Sequence, residues 1–379
     1  MSLLDVPAIS RGEFLARQTR LAAALDEAGV DAFIAEPSAS TAYYFNISAS
    51  YELSERPYLL MISRDAQVSY LAPKFELGRI ERLPLVAENV HVYAWPEEES
   101  PYKVFQEQVP YDSIMLDEHA RFMIAAGLMN AGIDVFPATT QINSLRAVKS
   151  DAELAILKGI NRFTLELVRS VQQCIEVGMT QGHVTEAAEG LFSAAGVGAG
   201  FWSIVLFGDE AASPHGSHDG AGRVLKEGEF VLIDIGSSLH GYGSDVTRTI
   251  LPKKGKVSHR LMDAWHLVHA AQGAALEKMV EGTPCAAVDK AARAVLDAAG
   301  LGDAFTHRLG HGLGLEMHEH PYLNGANMEE SLLMNEVATN EPGVYVIGEF
   351  GIRLEDAVVV GKEQGQVLTG RRAKSPWEP

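Results

Sequence analysis

The sequence predicts two unlike domains, an α/β domain over residues 1–147 followed by an α+β domain over 148–379. The expectation rests on three observations. The chain has 379 residues, 47% of them apolar, enough for two buried cores. A short link containing Arg146 and Lys149 is followed by Ser150-Asp151-Ala152-Glu153, a capping box that opens a long new helix. Strand-like and helical runs then occur on both sides of that link.

Taken in order, Phe14, Leu21, Leu25 and Ala28 recur at helical spacing within Gly12–Ala28, and Gly29 is placed as the C-cap. Val30–Ala35, Tyr58–Ile62 and Gln67–Leu71 are β-rich, and the domain closes near Leu145. Beyond the link, Ser150 accepts from the N3 amide while Glu153 reaches back, so a helix starts at Asp151. Leu157, Thr164, Val168, Val171 and Ile175 form its apolar stripe, and Gly178 is placed to end it. Ser203–Phe207, Phe230–Ile235 and Val246–Leu251 read as strands, alternating with helices over Met262–Met279 and Ala286–Ala299. Val344–Val360 is β-rich with a turn near Gly348.

Composition removes several function classes. The formal charge of −19 repels polyanions, and the basic runs Lys253-Lys254-Gly255-Lys256 and Arg371-Arg372-Ala373-Lys374 are too short for a phosphate-binding face, so no nucleic-acid partner is expected. Cys174 and Cys285 are the only cysteines and are far apart, which excludes a disulfide framework and a thiolate zinc site. The opening Met1–Ser10 has no cationic segment or long apolar run, and no stretch approaches the ~20 apolar residues that cross a bilayer. A reducing cytoplasm, with no membrane partner, is the expected location.

The telling residues are acids inside apolar strands. Asp234 stands in Phe230-Val231-Leu232-Ile233-Asp234-Ile235, where an ionised group is too costly to bury unless a cation neutralises it. Asp245 follows the Gly241-Tyr242-Gly243 turn, and a hairpin centred near Leu239 and His240 sets the two acids opposite one another. Glu341 and Glu355 flank the turn at Gly348 in the same way. Between the pairs, Gly310-His311-Gly312-Leu313-Gly314 presents His311 as a nitrogen ligand. Four negative charges suit two divalent cations. The oxygen-rich set with one imidazole favours Mn2+, with Co2+, Zn2+ or Fe2+ compatible. Two cations that ready a shared hydroxide imply metal-assisted hydrolysis.

These segments resemble the pita-bread metallopeptidases, the group of Xaa-Pro dipeptidase (prolidase), aminopeptidase P and methionine aminopeptidase. The likeness lies in Ile233-Asp234-Ile235-Gly236, Ser244-Asp245-Val246-Thr247-Arg248-Thr249, Gly310-His311-Gly312-Leu313-Gly314-Leu315, Asn340-Glu341-Pro342-Gly343-Val344-Tyr345 and Gly351-Ile352-Arg353-Leu354-Glu355-Asp356. It implies a pita-bread (creatinase/aminopeptidase) catalytic domain behind a smaller creatinase-like α/β domain. It also implies that Asp234, Asp245, His311, Glu341 and Glu355 are metal ligands, one Asp and one Glu bridging, with Glu341 handling the proton of the bridging water. His318 then stabilises the tetrahedral intermediate, and His215 is the outer histidine, with His218 as the substitute. Thr247 supports Asp245, and Arg353 and Tyr345 line the substrate pocket. The family implies a homodimer and a small peptide substrate.

One position departs from the group. After His318-Glu319-His320-Pro321 many prolidases carry an arginine for the dipeptide carboxylate, and this chain has Tyr322. The replacements open to it are His320, Arg353 or a residue of the N-terminal domain of a partner subunit; the remaining alternative is an enzyme that takes longer Xaa-Pro peptides. Other patterns read as structure. The glycine run lacks the βαβ unit of a dinucleotide site, Ser217-His218-Asp219 is too contiguous for a catalytic triad, and His259, His266 and His269 lie around the surface of one helix. The expected function is a prolidase-like Xaa-Pro dipeptidase. Rival readings are an aminopeptidase for longer peptides, a small-molecule hydrolase or lyase on the same scaffold, and a non-catalytic binding relative.

Overall fold

The computed structural model describes residues 3–51, 55–216 and 221–379. The chain divides into two compact units, Ile9–Arg146 and a larger one formed by Met1–Ala8 with Ala147–Pro379. Val6 is buried in the larger unit, where its carbonyl bonds the His240 ring at 2.9 Å.

The smaller unit is a six-stranded mixed sheet with helices. Its strands are β1 (Ala32–Ala35), β2 (Leu59–Ser63), β3 (Val68–Pro73), β4 (Val90–Trp95), β5 (Ser113–Leu116) and β6 (Asp134–Pro137), in the order β4-β3-β2-β1-β5-β6. The helix Arg11–Ala28 is capped by Ser10, which accepts from the Glu13 amide, and ends at Gly29, whose φ of 67° is left-handed. Three strands were not anticipated from the sequence. β4 and β6 are sheet edges with weak burial, exposing Val90, Val92 and Phe136, and β5 is only four residues long. None of them carries a clear alternation.

In the larger unit the capping box forms as expected, with Ser150 and Glu153 satisfying each other's backbone amides. The helix Asp151–Gln172 stops well before Gly178, and its last residue, Gln172, donates from its side-chain amide to the carbonyls of Leu251 and Pro376. Gly178 serves the next turn instead, at φ 97°. Strands β7 (Trp202–Phe207), β8 (Val231–Gly236) and, after the short hairpin β9 (Ser238–Leu239) and β10 (Tyr242–Gly243), β11 (Val246–Ile250) make a three-stranded sheet with β8 in the middle. A second sheet has the order β13-β12-β14-β17-β18, from β12 (Gly310–Gly312), β13 (Glu319–Leu323), β14 (Val337–Asn340), β17 (Asp356–Val359) and β18 (Gln366–Val367). β15 (Gly343–Val346) and β16 (Phe350–Arg353) form a hairpin between β14 and β17. Helices His259–Leu276 and Cys285–Ala298 share one core with these strands, around the fully buried Trp265.

Two details of register place the acids. The β8–β11 hairpin turns at His240-Gly241, with φ of 51° and 85°, a two-residue turn that needs left-handed backbone at both positions. Its centre is one residue later than the sequence suggests, so Asp234 pairs with Thr247 and not with Asp245. Asp245 stands two residues before Thr247, on the same face.

The second pair behaves differently. The pairings Asn340↔Asp356 and Gly343↔Arg353 belong to one continuous register, in which Glu341 stands across from Glu355. The ladder opens between them. Pro342 has no amide hydrogen, while the Glu341 amide donates to the Leu309 carbonyl at 2.9 Å and the Glu355 amide to the Thr247 carbonyl at 3.0 Å. The break in one hairpin thereby ties it to β11 and to the start of β12.

Glu336, at the entry to β14, is 5% exposed, and among the described residues its carboxylate accepts one hydrogen bond, from the Leu333 amide. Burial pushes its carboxyl up to about 7. The folded state holds a proton that the unfolded chain releases near 4.5, so stability is full below that pH and is lost as pH rises towards about 7. Glu336→Gln keeps an acceptor for the amide and carries no charge. The urea midpoint of this variant is expected to gain on wild type between these pH values, by roughly 2–3 kcal/mol in all; parallel pH profiles would contradict the assignment.

Candidate metal centre

Strands β8, β11, β12, β14 and β17 deliver five side chains to one cavity of about 820 Å3, all within the larger unit. Asp234 comes from β8, Asp245 from the residue before β11 and His311 from β12, while Glu341 and Glu355 come from the opened ladder. The glycines around His311 are required by close strand approach. A Cβ on Gly310 would lie 2.0 Å from the Thr339 carbonyl oxygen, and one on Gly312 would lie 2.1 Å from that of His320.

His311 Nε2 is 3.2 Å from Glu341 Oε1 and 3.6 Å from Asp245 Oδ2. Ligand atoms of Asp245, His311 and Glu355 all lie within 4.8 Å of one another. The Gly312 carbonyl, 3.1 Å from His311 Nδ1, can only accept, so Nδ1 carries a proton and Nε2 faces the two acids. Asp234 takes a buried ion pair from Arg353, with Nη2 2.6 Å from its Oδ2. Its other oxygen, Oδ1, is buried with no hydrogen-bond partner among the described residues.

The electrostatics are those of crowded acids in a dry site. Burial, reinforced by the charges of Asp234 and Glu341, pushes Asp245 well above the usual carboxylate range. Burial and the charges of Asp245, Glu341 and Asp234 do the same to Glu355. Burial also raises Asp234, although Arg353 opposes it. At Glu341 burial is overcome by the hydrogen bond and charge of His311, which hold the carboxyl at about 2. An orphaned oxygen, three carboxyls short of positive charge and an imidazole nitrogen aimed at acids fit a pair of divalent cations.

A supporting layer fixes these groups. The Thr247 hydroxyl donates to Glu355 Oε2 at 2.6 Å, so it serves the second acid pair and not Asp245, whose amide donates to Asn161 Oδ1. Thr339 donates to Glu341 Oε1 at 3.1 Å. Arg353 Nη1 donates to the Tyr345 oxygen at 2.9 Å. Tyr345 lies 2.8 Å from His307 Nε2, and His307 Nδ1 lies 2.7 Å from the Arg308 carbonyl. Because that carbonyl only accepts, the imidazole N–H points to it and the Tyr345 hydroxyl donates to Nε2. Burial keeps the phenol protonated, pushing it up to about 12. Tyr345 therefore stands behind Arg353 and does not line the cavity, contrary to the expectation from sequence.

His215 and His318 both line the cavity. The His318 ring meets that of His311 edge-on, with centroids 4.1 Å apart, and burial, followed by the charges of His311 and Arg308, lowers it to about 4. It is neutral at neutral pH. His218 and the Ser217-His218-Asp219 run lie outside the described residues. Of the groups offered in place of an arginine at Tyr322, Arg353 is committed to Asp234, and His320 Nδ1 lies 3.1 Å from Glu330 Oε1.

Residues 155–362, more than half of the chain, match the model of metallopeptidase family M24. The chain belongs to family M24. Residues 17–148 match the creatinase/prolidase N-terminal domain, so this M24 peptidase has the pita-bread architecture behind a creatinase-type α/β domain. It is 43% identical over 98% of its length to an uncharacterized peptidase of Schizosaccharomyces pombe, of which it covers 84%. Among solved structures, dipeptidase PepE of Mycobacterium ulcerans superposes with a TM-score of 0.88 at 28% identity, covering 97% of this chain and 98% of that one. A Xaa-Pro dipeptidase of Bacillus anthracis gives 0.80 at 25% identity, over 94% and 98%.

The M24 peptidase also uses groups that were not singled out from the sequence. Trp202, Ile204 and Met317 give the cavity an apolar wall, and His307, Arg308 and Asn324 add polar groups. His307-Arg308 directly precedes the glycine-flanked His311, a position that was available as a signal. Removing one partner of a buried pair strands the other charge. Arg353→Met is expected to destabilise the metal-free protein by about 3–5 kcal/mol in thermal melts, and adding Asp234→Asn should recover part of that loss. Additive losses in the double variant would show the pair to be uncoupled.

Proposed function

We propose that this M24 peptidase is a dinuclear-metal Xaa-Pro dipeptidase, hydrolysing the bond between an N-terminal residue and proline. The observation that carries the reading is the convergence of Asp234, Asp245, His311, Glu341 and Glu355 on one cavity, in a chain whose structural relatives include a Xaa-Pro dipeptidase. These five residues would hold the cations, and their oxygen-rich chemistry suits Mn2+, with Co2+, Zn2+ or Fe2+ as substitutes. When bound, two divalent cations supply Lewis acidity and lower the pKa of water.

The remaining steps belong to the side chains. Glu341, ionised and held by Thr339, accepts the proton of the attacking water and passes it to the leaving proline nitrogen. Neutral His318 donates its N–H to the oxyanion that develops on the scissile carbonyl, and His215, which also lines the cavity, orients the substrate. Arg353 keeps Asp234 aimed into the cavity, and Tyr345 fixes the guanidinium from behind. Specificity for proline has a physical basis, because a prolyl bond offers no amide hydrogen and fixes φ, so it needs a dedicated cavity.

The proposal places the enzyme in a reducing cytoplasm as a homodimer. The two free cysteines and the exposed Phe122 and Phe136 of the smaller unit support those two points. No helix among the described residues is long and apolar enough to cross a membrane.

The direct test compares Leu-Pro, Leu-Pro-Gly and Leu-Gly as substrates of the metal-reconstituted protein. Leu-Pro should be cleaved and Leu-Gly spared, while preference for Leu-Pro-Gly would reassign the enzyme as an aminopeptidase. Chelation should abolish turnover and Mn2+ restore it, with metal analysis giving two ions per chain. Asp245→Ala or Glu341→Ala should eliminate turnover while the circular-dichroism spectrum is kept; wild-type rates in either would contradict the site. His318→Ala should lower kcat by about 10²- to 10³-fold, with a smaller effect on KM.

A further inference from the structure

Two guanidinium groups line the cavity, and only one of them is spoken for. Arg353 is buried, with Nη2 on Asp234 and Nη1 on Tyr345 and the Pro214 carbonyl. Arg308 is half-buried, and among the described residues no carboxylate lies within ion-pair distance of it. Its contact is with a ring, the guanidinium carbon standing 4.5 Å from the centroid of Tyr322.

That stacked position is built. Tyr322 pairs with the ligand His311 across β12 and β13, and its hydroxyl donates to the His318 carbonyl at 3.4 Å. The backbone under Arg308 is pinned on both sides. Its carbonyl accepts from His307 Nδ1, and the next amide, that of Leu309, donates to Asp289 Oδ1 and to the Leu323 carbonyl, each at 2.9 Å. A guanidinium standing over an aromatic ring, with no carboxylate at ion-pair distance among the described residues, can offer its planar set of N–H donors to an anion.

Among the described residues, the other charged side chains of the cavity offer no unmatched cation to an anion. Four carboxylates converge there, and the cation of Arg353 is already matched to Asp234. Among the side chains that line the cavity, Arg308 is therefore the unmatched guanidinium that a substrate carboxylate can meet.

On the dipeptidase reading above, we propose that Arg308, laid on the ring of Tyr322, binds a carboxylate of the substrate and so selects dipeptides by charge. Arginine supplies paired N–H donors to a carboxylate, a contact that a tyrosine at 322 alone does not offer. The bound group is either the C-terminal carboxylate or that of an acidic N-terminal side chain, and matched substrates separate the two.

The experiment measures kcat/KM of metal-loaded wild type, Arg308→Gln and Arg308→Lys on Leu-Pro, Leu-Pro-amide, Asp-Pro and Asn-Pro. Wild type should favour Leu-Pro over its amide by about 10- to 100-fold, chiefly through KM. Arg308→Gln should bring that ratio towards one, and Arg308→Lys should restore part of it. Each ratio is internal to one variant, so a general loss of activity or folding does not imitate the result. Collapse of the Asp-Pro to Asn-Pro ratio alone would keep Arg308 as the carboxylate site and assign it to the side chain. Survival of both ratios in Arg308→Gln would overturn the inference while leaving the peptidase reading intact. Failure of wild type to cleave any of the four would overturn both.

Discussion

Mutual repulsion among acids in a dry cavity is the constraint around which the larger unit is arranged. Asp245 and Glu355 are forced well above their ordinary ionisation range by burial and by the charges of the neighbouring acids Asp234 and Glu341, and among the described residues Asp234 keeps a buried oxygen without a partner. An isolated chain does not gain by assembling such a cluster. The arrangement fits a site that cations would complete, and the surrounding structure holds the acids together.

The backbone does most of that holding. A tight turn at His240-Gly241 sets which residue faces Asp234, and the opened ladder at Pro342 frees the amides of Glu341 and Glu355 to grip neighbouring strands. Threonine hydroxyls then orient individual carboxylate oxygens, and glycines beside His311 let strands approach closer than any side chain permits. Beyond them a chain of hydrogen bonds runs from Asp234 through Arg353, Tyr345 and His307 to the backbone of Arg308. The same series of contacts therefore fixes both Asp234, a proposed metal ligand, and the residue assigned to substrate charge.

Much of this was legible in the sequence because charge in an apolar strand is a strong local signal. Asp234 stood out for that reason, and the capping box at Ser150 marked a helix start through purely local chemistry. Contacts that depend on three-dimensional register were harder to read. A hairpin centre wrong by one residue moved the partner of Asp234 from Asp245 to Thr247, and Thr247 proved to serve Glu355. Tyr345 sits in a strand beside Arg353, and nothing in the residue order tells whether its ring fronts the cavity or backs it. Arg308 carries no such local signal, because its contact is with the ring of Tyr322, 14 positions away on β13.

The tip of the second hairpin carries an unusual burden. Ile347 is 83% exposed and Gly348 has open space around it, features of a loop that ordinarily accepts insertions freely. Here both arms below the tip share one pairing frame, so a single added residue would slide Glu341 past Glu355 and rotate one of them out of the cavity. The length of an apparently idle surface bend is thus dictated from the interior, and drift in this family should change which residues occupy it far more readily than how many there are.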